Sequence, residues 1–280
     1  MTGPAISPAM IPETDVLLVW KAILVPLWIG AFFVLERLRP AAVPPANGQP
    51  EASGFGEDRL GPWRRVGRNL LLWLFNVGLS PLIVLPVTAA ASAYALDWRP
   101  AAWSGWGGLL LDLLLLDFLI YWWHRANHVV PFLWRFHEVH HLDRFLDTTS
   151  SLRFHFGEVL LSALARGGVV FLLGIPFTSV LVFEVLVLLS ASFHHSNLRL
   201  PAGLERGLSR LVITPAIHWV HHHAVRCDTD SNYGTIFSFW DPLFGSRSPV
   251  ARDLNMEIGV EGRAEEGVFG LLLKPFRPSA

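Results

Sequence analysis

Twelve histidines lie between His124 and His223, and none occurs in the first 123 or the last 57 residues. Eleven of them fall into four groups: His124-x-x-x-His128, His137-Glu-Val-His140-His141, His194-His195-Ser-Asn197, and His218-Trp-Val-His221-His222 followed by His223; His155 stands apart. Helical positions three and four apart share a face, so each paired spacing is expected to converge two or three imidazoles on one point. A lone histidine at a membrane edge is ordinarily a satisfied or snorkelling side chain. Repetition of the pattern points instead to metal. Zinc sites use three or four protein ligands, so eight or more convergent imidazoles fit two metals better than one. Imidazole suits iron, zinc, copper and nickel, so ligand type alone does not select the metal.

The order H-x-x-x-H, H-x-x-H-H, H-x-N, H-x-x-H-H resembles the fatty acid hydroxylase / sterol desaturase superfamily of membrane-bound histidine-box oxygenases. Flanking residues carry the resemblance further. They are Asp117-Phe-Leu-Ile-Tyr121-Trp-Trp-His124-Arg125, Arg153-Phe-His155, Asp230-Ser-Asn232-Tyr233-Gly234 and Trp240-Asp241-Pro-Leu-Phe-Gly245. The similarity covers roughly residues 110–245. It implies a non-haem centre of two Fe ions (with zinc an occupant in purified protein), O2 as co-substrate, and a lipid C–H bond hydroxylated or desaturated. Sterols, fatty acyl or sphingoid chains, carotenoids and alkyl ethers are all substrates served by such boxes. Carried over residue by residue, the implied metal ligands are His124, His128, His137, His140, His141, His195, His218, His221 and His222. His194 is a weaker candidate, and His223 is expected beside the site or at the surface. Asp117, Tyr121, Arg153 and His155 are the implied catalytic residues beside the ligands; Arg153 and His155 match the family's R-x-H, although Phe156 stands where proline is common.

Positioning these groups falls to apolar helices. Val16–Leu35, Leu70–Leu96 and Trp106–Trp123 are long enough to cross a bilayer at about 1.5 Å per residue. Pro81 and Pro86 are expected to kink the second. Val159–Leu173 and Phe177–Phe193, split by Gly174-Ile175-Pro176, read as a helical hairpin. The fold class is therefore an all-α, polytopic membrane helix bundle of three spans plus a hairpin, capped by a His-rich helical region. Residues 1–105 form an N-terminal membrane region, 106–245 the catalytic membrane domain and 246–280 a short tail packing beneath it. Residues 40–62 read as a flexible loop, and residues 1–15, with no Lys or Arg, show no cleavable leader.

Six arginines in 36–69 (Arg37, Arg39, Arg59, Arg64, Arg65, Arg68) place that segment in the cytoplasm by the positive-inside rule. Counting spans from there delivers every histidine group to the same cytoplasmic face. The Ala-, Arg-, Gly- and Pro-rich composition and short termini point to a bacterial plasma membrane. Apolar residues make up 52% and charged residues 16%, against roughly 25% charged in a soluble domain. The net charge of −1 gives no reason to invoke nucleic acid. The single cysteine, Cys227, excludes an internal disulfide and a Cys-rich metal site. No G-x-G-x-x-G fingerprint follows a strand, so electrons are expected from an external donor such as a ferredoxin, cytochrome or reductase.

Asp117, Tyr121, His124 and His128 fall on one helical stripe. Asp117 is expected to accept the free N–H of a ligating imidazole, or else to pair with Arg125 or Arg153. Arg166 and Glu184 read as an ion pair across the hairpin. His137-Glu138-x-x-His141 also matches the zinc metalloprotease signature, with Glu138 as base. That reading leaves the other boxes unexplained. A metal transporter would spread its histidines along a path through the membrane, and a catalytically silent relative would have less reason to keep all the boxes.

Overall fold

The computed structural model describes residues 14–43 and 61–277. Most of the loop expected over 40–62, and nearly all of the segment read for a leader, lie outside the described residues. Twelve α-helices run through the described residues: α1 (Thr14–Leu38), α2 (Pro62–Leu79), α3 (Val84–Ala93), α4 (Gly105–Val129), α5 (Pro131–His141), α6 (Phe156–Leu173), α7 (Phe177–His195), α8 (Ala202–Leu208), α9 (Pro215–His221), α10 (Arg226–Thr229), α11 (Trp240–Leu243) and α12 (Val268–Leu273). Short 3-10 turns occupy Thr148–Leu152 and Lys274–Phe276. No strand forms among the described residues beyond isolated bridges such as His223 with Ile258.

Four helices, α1, α4, α6 and α7, are long and apolar enough to cross a membrane, and α2 with α3, bent by 42°, meets the same length and composition as a pair, which makes up to five. The bend falls at Ser80–Ile83, where Pro81 interrupts the ladder. Pro86 sits in the first turn of α3, a position that tolerates proline, and adds no second break. α2 begins eight residues before the expected start of its span, because Arg65, Arg68 and Asn69 are held by polar partners rather than by lipid.

The passes share two ends. At one end Arg99 pairs with Asp112 at 2.7 Å and donates to the Gly174 carbonyl at 3.0 Å, while Leu96 N–H donates to Phe171. Gly174 closes α6 at φ 65°, where a side chain would also meet the Leu96 carbonyl at 2.9 Å. At the other end Glu36 of α1 accepts from Thr148 and Asn197 N–H, both at 2.9 Å, and Arg65 of α2 pairs with Asp143 and Asp147. Burial works to raise the Asp143 carboxyl, but Arg65, Arg153 and Arg68 outweigh it and hold it below the usual carboxylate range. Between the ends, Leu116, Val170, Ile175, Val180 and Phe183 pack α4, α6 and α7 together. The expected pair across the hairpin forms: Arg166 meets Glu184 at 3.0 Å, and Lys21 of α1 joins as a third charge.

Candidate metal centre

All the histidine-bearing segments emerge at the Glu36–Arg65 end. Pro131 stops α4 and opens α5 at its first position, with Val130 extended as a pre-proline residue must be. α5 therefore folds back over the end of α4, and its His137 and His141 meet His124 and His128. Gly157 lets the start of α6 close on α5, since a Cβ there would lie 2.5 Å from the Phe136 ring. The last turn of α7 brings in His195, and Thr214-Pro215 starts the short helix α9 that carries His218, His221 and His222.

The side chains meet as two buried groups. His124, His128, His137, His141 and His221 form one, and His140, His195, His218 and His222 form the other; within each group one nitrogen per ring lies within 4.8 Å of every other. Each H-x-x-H-H segment is split between the groups. The expectation that one box converges on one point is corrected here: positions i and i+4 go to one group and i+3 to its neighbour.

Outer partners fix how these rings face. His124 Nδ1 donates to the Tyr233 carbonyl at 2.8 Å, His221 Nδ1 to Ser231 at 2.6 Å, His140 Nδ1 to Arg153 at 3.1 Å and His195 Nδ1 to Ala191 at 2.7 Å. His137 Nδ1 lies 2.8 Å from Glu158 Oε1 and His128 Nδ1 3.3 Å from Asp230 Oδ1. A carbonyl or carboxylate can only accept, so in these six rings Nδ1 carries the proton and Nε2 is the nitrogen left free. His140 and His195 then aim bare Nε2 atoms at each other at 3.1 Å. Two such lone pairs repel, and a cation shared between them reverses the sign. His128 Nε2, His221 Nε2, His141 Nδ1, His218 Nδ1 and His222 Nδ1 are buried with no hydrogen-bond partner among the described residues. Burial, reinforced by neighbouring imidazoles, holds His140, His141, His218, His221 and His222 well below the ordinary value of 6.5, so they stay neutral and able to donate lone pairs. Nine buried imidazoles, six of them with Nδ1 tied to an outer acceptor, fit metal ions.

Comparison with known proteins meets this geometry. The "Fatty acid hydroxylase" family description matches residues 109–246. A cholesterol 25-hydroxylase-like protein of Danio rerio is 31% identical over 195 residues, covering 66% of this chain and 73% of that protein. The chain belongs to the fatty acid hydroxylase family. Ornithine lipid hydroxylase OlsE of Rhizobium tropici is 30% identical over 197 residues, which are 70% of this chain and 58% of the relative. Alkylglycerol monooxygenase of Danio rerio is 30% identical over 154 residues, 55% of this chain and 32% of its own length. The matched region thus spans less than two thirds of these last two relatives. No solved structure matches. Like its family, the chain is an integral membrane protein, and its described residues hold histidine clusters able to bind metal.

Other residues expected near the family's site take different roles. Asp117 does not reach an imidazole, Arg125 or Arg153. It is buried against the loop after the last box, accepting from Trp240 Nε1 at 2.8 Å and from the Ile236 and Phe237 N–H groups at 3.2 and 3.3 Å. The helical stripe brought it level with the loop rather than with the rings. Tyr121 hydrogen-bonds Ser246 Oγ at 2.8 Å and packs edge-on against Tyr233. Arg153 is fully buried and bridges the Val139 carbonyl at 2.7 Å, Asn69 at 3.2 Å and Glu265 at 2.7 Å, so only its carbonyl serves the histidines. His155 caps α6, its Nδ1 accepting from Gly157 N–H at 2.9 Å and its Nε2 donating to Leu272 at 3.0 Å. His194 packs on His218 but joins neither group, and His223 pairs with Asp228 at 2.7 Å toward the surface. Glu138 lies 3.6 Å from Lys274 and 3.7 Å from Arg263, which takes it away from the base position a metalloprotease requires.

Two sets of outer partners went unrecognised in the sequence. Glu158 orients His137, and the segment 230–233 orients His128, His221 and His124 together. Asn232 holds that segment at φ 53°, a conformation asparagine accepts more readily than most residues. The Asp-Ser-Asn-Tyr-Gly motif was the available signal.

Proposed function

We propose that the chain is a membrane-bound oxidoreductase that hydroxylates or desaturates a lipid C–H bond with O2 and external electrons, using a non-haem two-iron centre. The observation that carries this reading is the pair of buried imidazole groups whose outer partners turn lone pairs inward. His124, His128, His137, His141 and His221 would hold one iron, and His140, His195, His218 and His222 the other. Bound there, the irons supply O2 activation and the abstraction of hydrogen from an unactivated carbon. The residues of this chain hold the rings neutral, fix their tautomers and keep the site dry.

The relatives named above are a lipid hydroxylase, an alkylglycerol monooxygenase and a sterol hydroxylase-like protein. They favour a substrate whose apolar part stays in the bilayer while the target carbon reaches the helix ends. Hydroxylation by O2 consumes two electrons beyond those of the C–H bond, and a ferredoxin, cytochrome or reductase would deliver them. Arg37, Arg39, Arg64, Arg65 and Arg68 lie at the histidine end, which supports a cytoplasmic placement in a bacterial plasma membrane.

The test is elemental analysis of detergent-purified protein from iron-replete cells, followed by incubation with a bacterial lipid extract, a reductant system and 18O2. About two irons per chain and 18O in a lipid product would establish the hydroxylase form of the reading. An unsaturated product with no 18O would establish the desaturase form. Iron-loaded protein that changes no lipid would overturn the reaction, and one zinc per chain would overturn the centre.

A further inference from the structure

Away from the histidines, Arg206, Arg210 and Arg247 line one cavity of about 380 Å³ that has no carboxylate in its wall. None of the three forms a salt bridge among the described residues, and all three are exposed. Arg247 feels the field of Asp241, but that carboxylate is already occupied by Tyr233 and Gly234 N–H groups, at 2.8 and 3.0 Å, and by Ser246. A second cavity of about 300 Å³ shares Arg206, Ser209 and Arg247 with the first and runs inward to Arg252. There Arg252 Nη1 and Thr214 Oγ1 are buried without a hydrogen-bond partner. Glu205 also lines this inner cavity: its Oε1 accepts from Ala216 N–H at 3.3 Å, its Oε2 is buried without a hydrogen-bond partner among the described residues and its charge acts on Arg252, so the inner cavity carries both signs.

The depth of the outer cavity follows from α4. Phe239 and Pro242 in its wall flank Trp240, and Trp240 and Phe244 pack on Phe118 at 5.3 and 5.9 Å. Phe244 also meets Trp122 at 5.1 Å. At 1.5 Å per residue, Phe118 and Trp122 stand about 20 and 26 Å from the start of α4, within a hydrocarbon layer of about 30 Å. The turn that walls the cavity therefore leans on the upper edge of the apolar layer, where headgroups lie. Leu204, Leu211 and Leu243 are exposed around the same arginines. An acidic soluble protein would meet a flatter charged face standing clear of the bilayer. A concave cationic floor with an apolar rim, at headgroup depth, matches a phosphate carrying acyl chains.

We propose that the outer, arginine-lined cavity binds the anionic phosphate headgroup of a bilayer phospholipid. The binding is a property of the fold, read without any assay of oxygen chemistry. The full chain in detergent, titrated with phosphatidylglycerol or phosphatidylcholine and observed by native mass spectrometry, should retain about one phosphatidylglycerol with roughly tenfold preference. The triple variant Arg206→Gln, Arg210→Gln, Arg247→Gln should lose that preference while keeping its elution position and metal content. Arg206→Lys, Arg210→Lys, Arg247→Lys should keep only part of it, because ammonium groups attract phosphate without the planar fork. Equal retention of the two lipids by the parent would overturn the proposal. So would an unchanged preference in the glutamine variant. Displacement of the lipid by millimolar inorganic phosphate alone would make a free anion the ligand and overturn the lipid assignment. Loss of preference for lipid accompanied by retention of an acidic protein would do the same.

Discussion

Replacing Glu158 by Ala removes the acceptor that His137 Nδ1 uses at 2.8 Å and strands a buried N–H. Stranding a buried donor costs about 1–3 kcal/mol. Loss of an outer partner typically costs 10–100-fold in metal affinity, or about 1.4–2.8 kcal/mol. The two routes agree, and both fall on the five-histidine group alone, because His137 belongs to it. Glu158 also accepts from Asn127 at 3.3 Å, so the alanine variant loses stability as well. Glu158→Gln keeps an acceptor and the shape, and separates the two effects. The assay is metal content after dialysis against chelators of increasing strength, with gel filtration reporting the fold. Glu158→Ala should fall from about two metals toward one at a chelator strength the parent withstands, with Glu158→Gln between them. An alanine variant that folds and holds both metals as tightly as the parent would refute the assignment of His137 as a ligand.

Three further outcomes follow from the same geometry. Because burial holds His140, His141, His218, His221 and His222 well below their ordinary value of 6.5, the unfolded chain gains protons that the fold refuses as pH drops through about 6.5. Each imidazole then takes about 1.4 kcal/mol per pH unit from stability, so chelated protein should melt markedly lower at pH 5.5 than at 7.5; equal melting temperatures would contradict neutral burial. Asp117→Ala should lose about 1–3 kcal/mol of stability yet keep its metal content, and selective loss of metal would restore Asp117 as the acceptor that orients a ligating imidazole. Glu138→Gln, which removes only long pairs to Lys274 and Arg263, should cost less than about 1 kcal/mol and leave metal content unchanged; loss of metal or of lipid turnover in a folded Glu138→Gln protein would revive the protease-like base.

The passes and the gathering of the histidine boxes into one region were legible because each has a side-chain signature, apolar length in one case and repeated imidazoles in the other; how the rings divide between two groups was not. The Arg166–Glu184 pair was legible for the same reason, since two lone charges on neighbouring apolar helices have few partners. What orients the rings was not. Tyr233, Ser231, Arg153 and Ala191 act through backbone carbonyls, which no residue type announces. Asp117 was misplaced because helical periodicity fixes a face but not what packs against it. Arg153, which matches the family's R-x-H, sits as a buried brace whose guanidinium ties α2, α5 and the tail together, a set of partners that the motif alone does not announce.

The two H-x-x-H-H segments gain their meaning from being split. In α5 the i and i+4 residues, His137 and His141, face the five-member group and the i+3 residue His140 faces the other; at α9 His218 and His222 face the four-member group and His221 crosses. Each segment thus clamps both centres, in opposite sense, and a shift of either changes both at once. α4 serves only the first group and α7 only the second, so they set where each centre lies while α5 and the α9 segment set how the two face each other. Chain neighbours should therefore behave as strangers. His221→Ala should weaken one metal and His222→Ala the other, and combining His221→Ala with His141→Ala should lose little beyond either alone. Combining His221→Ala with His140→Ala should release both metals. If metal content instead tracks sequence adjacency, with His221→Ala and His222→Ala depleting the same ion, the two groups do not mark separate centres.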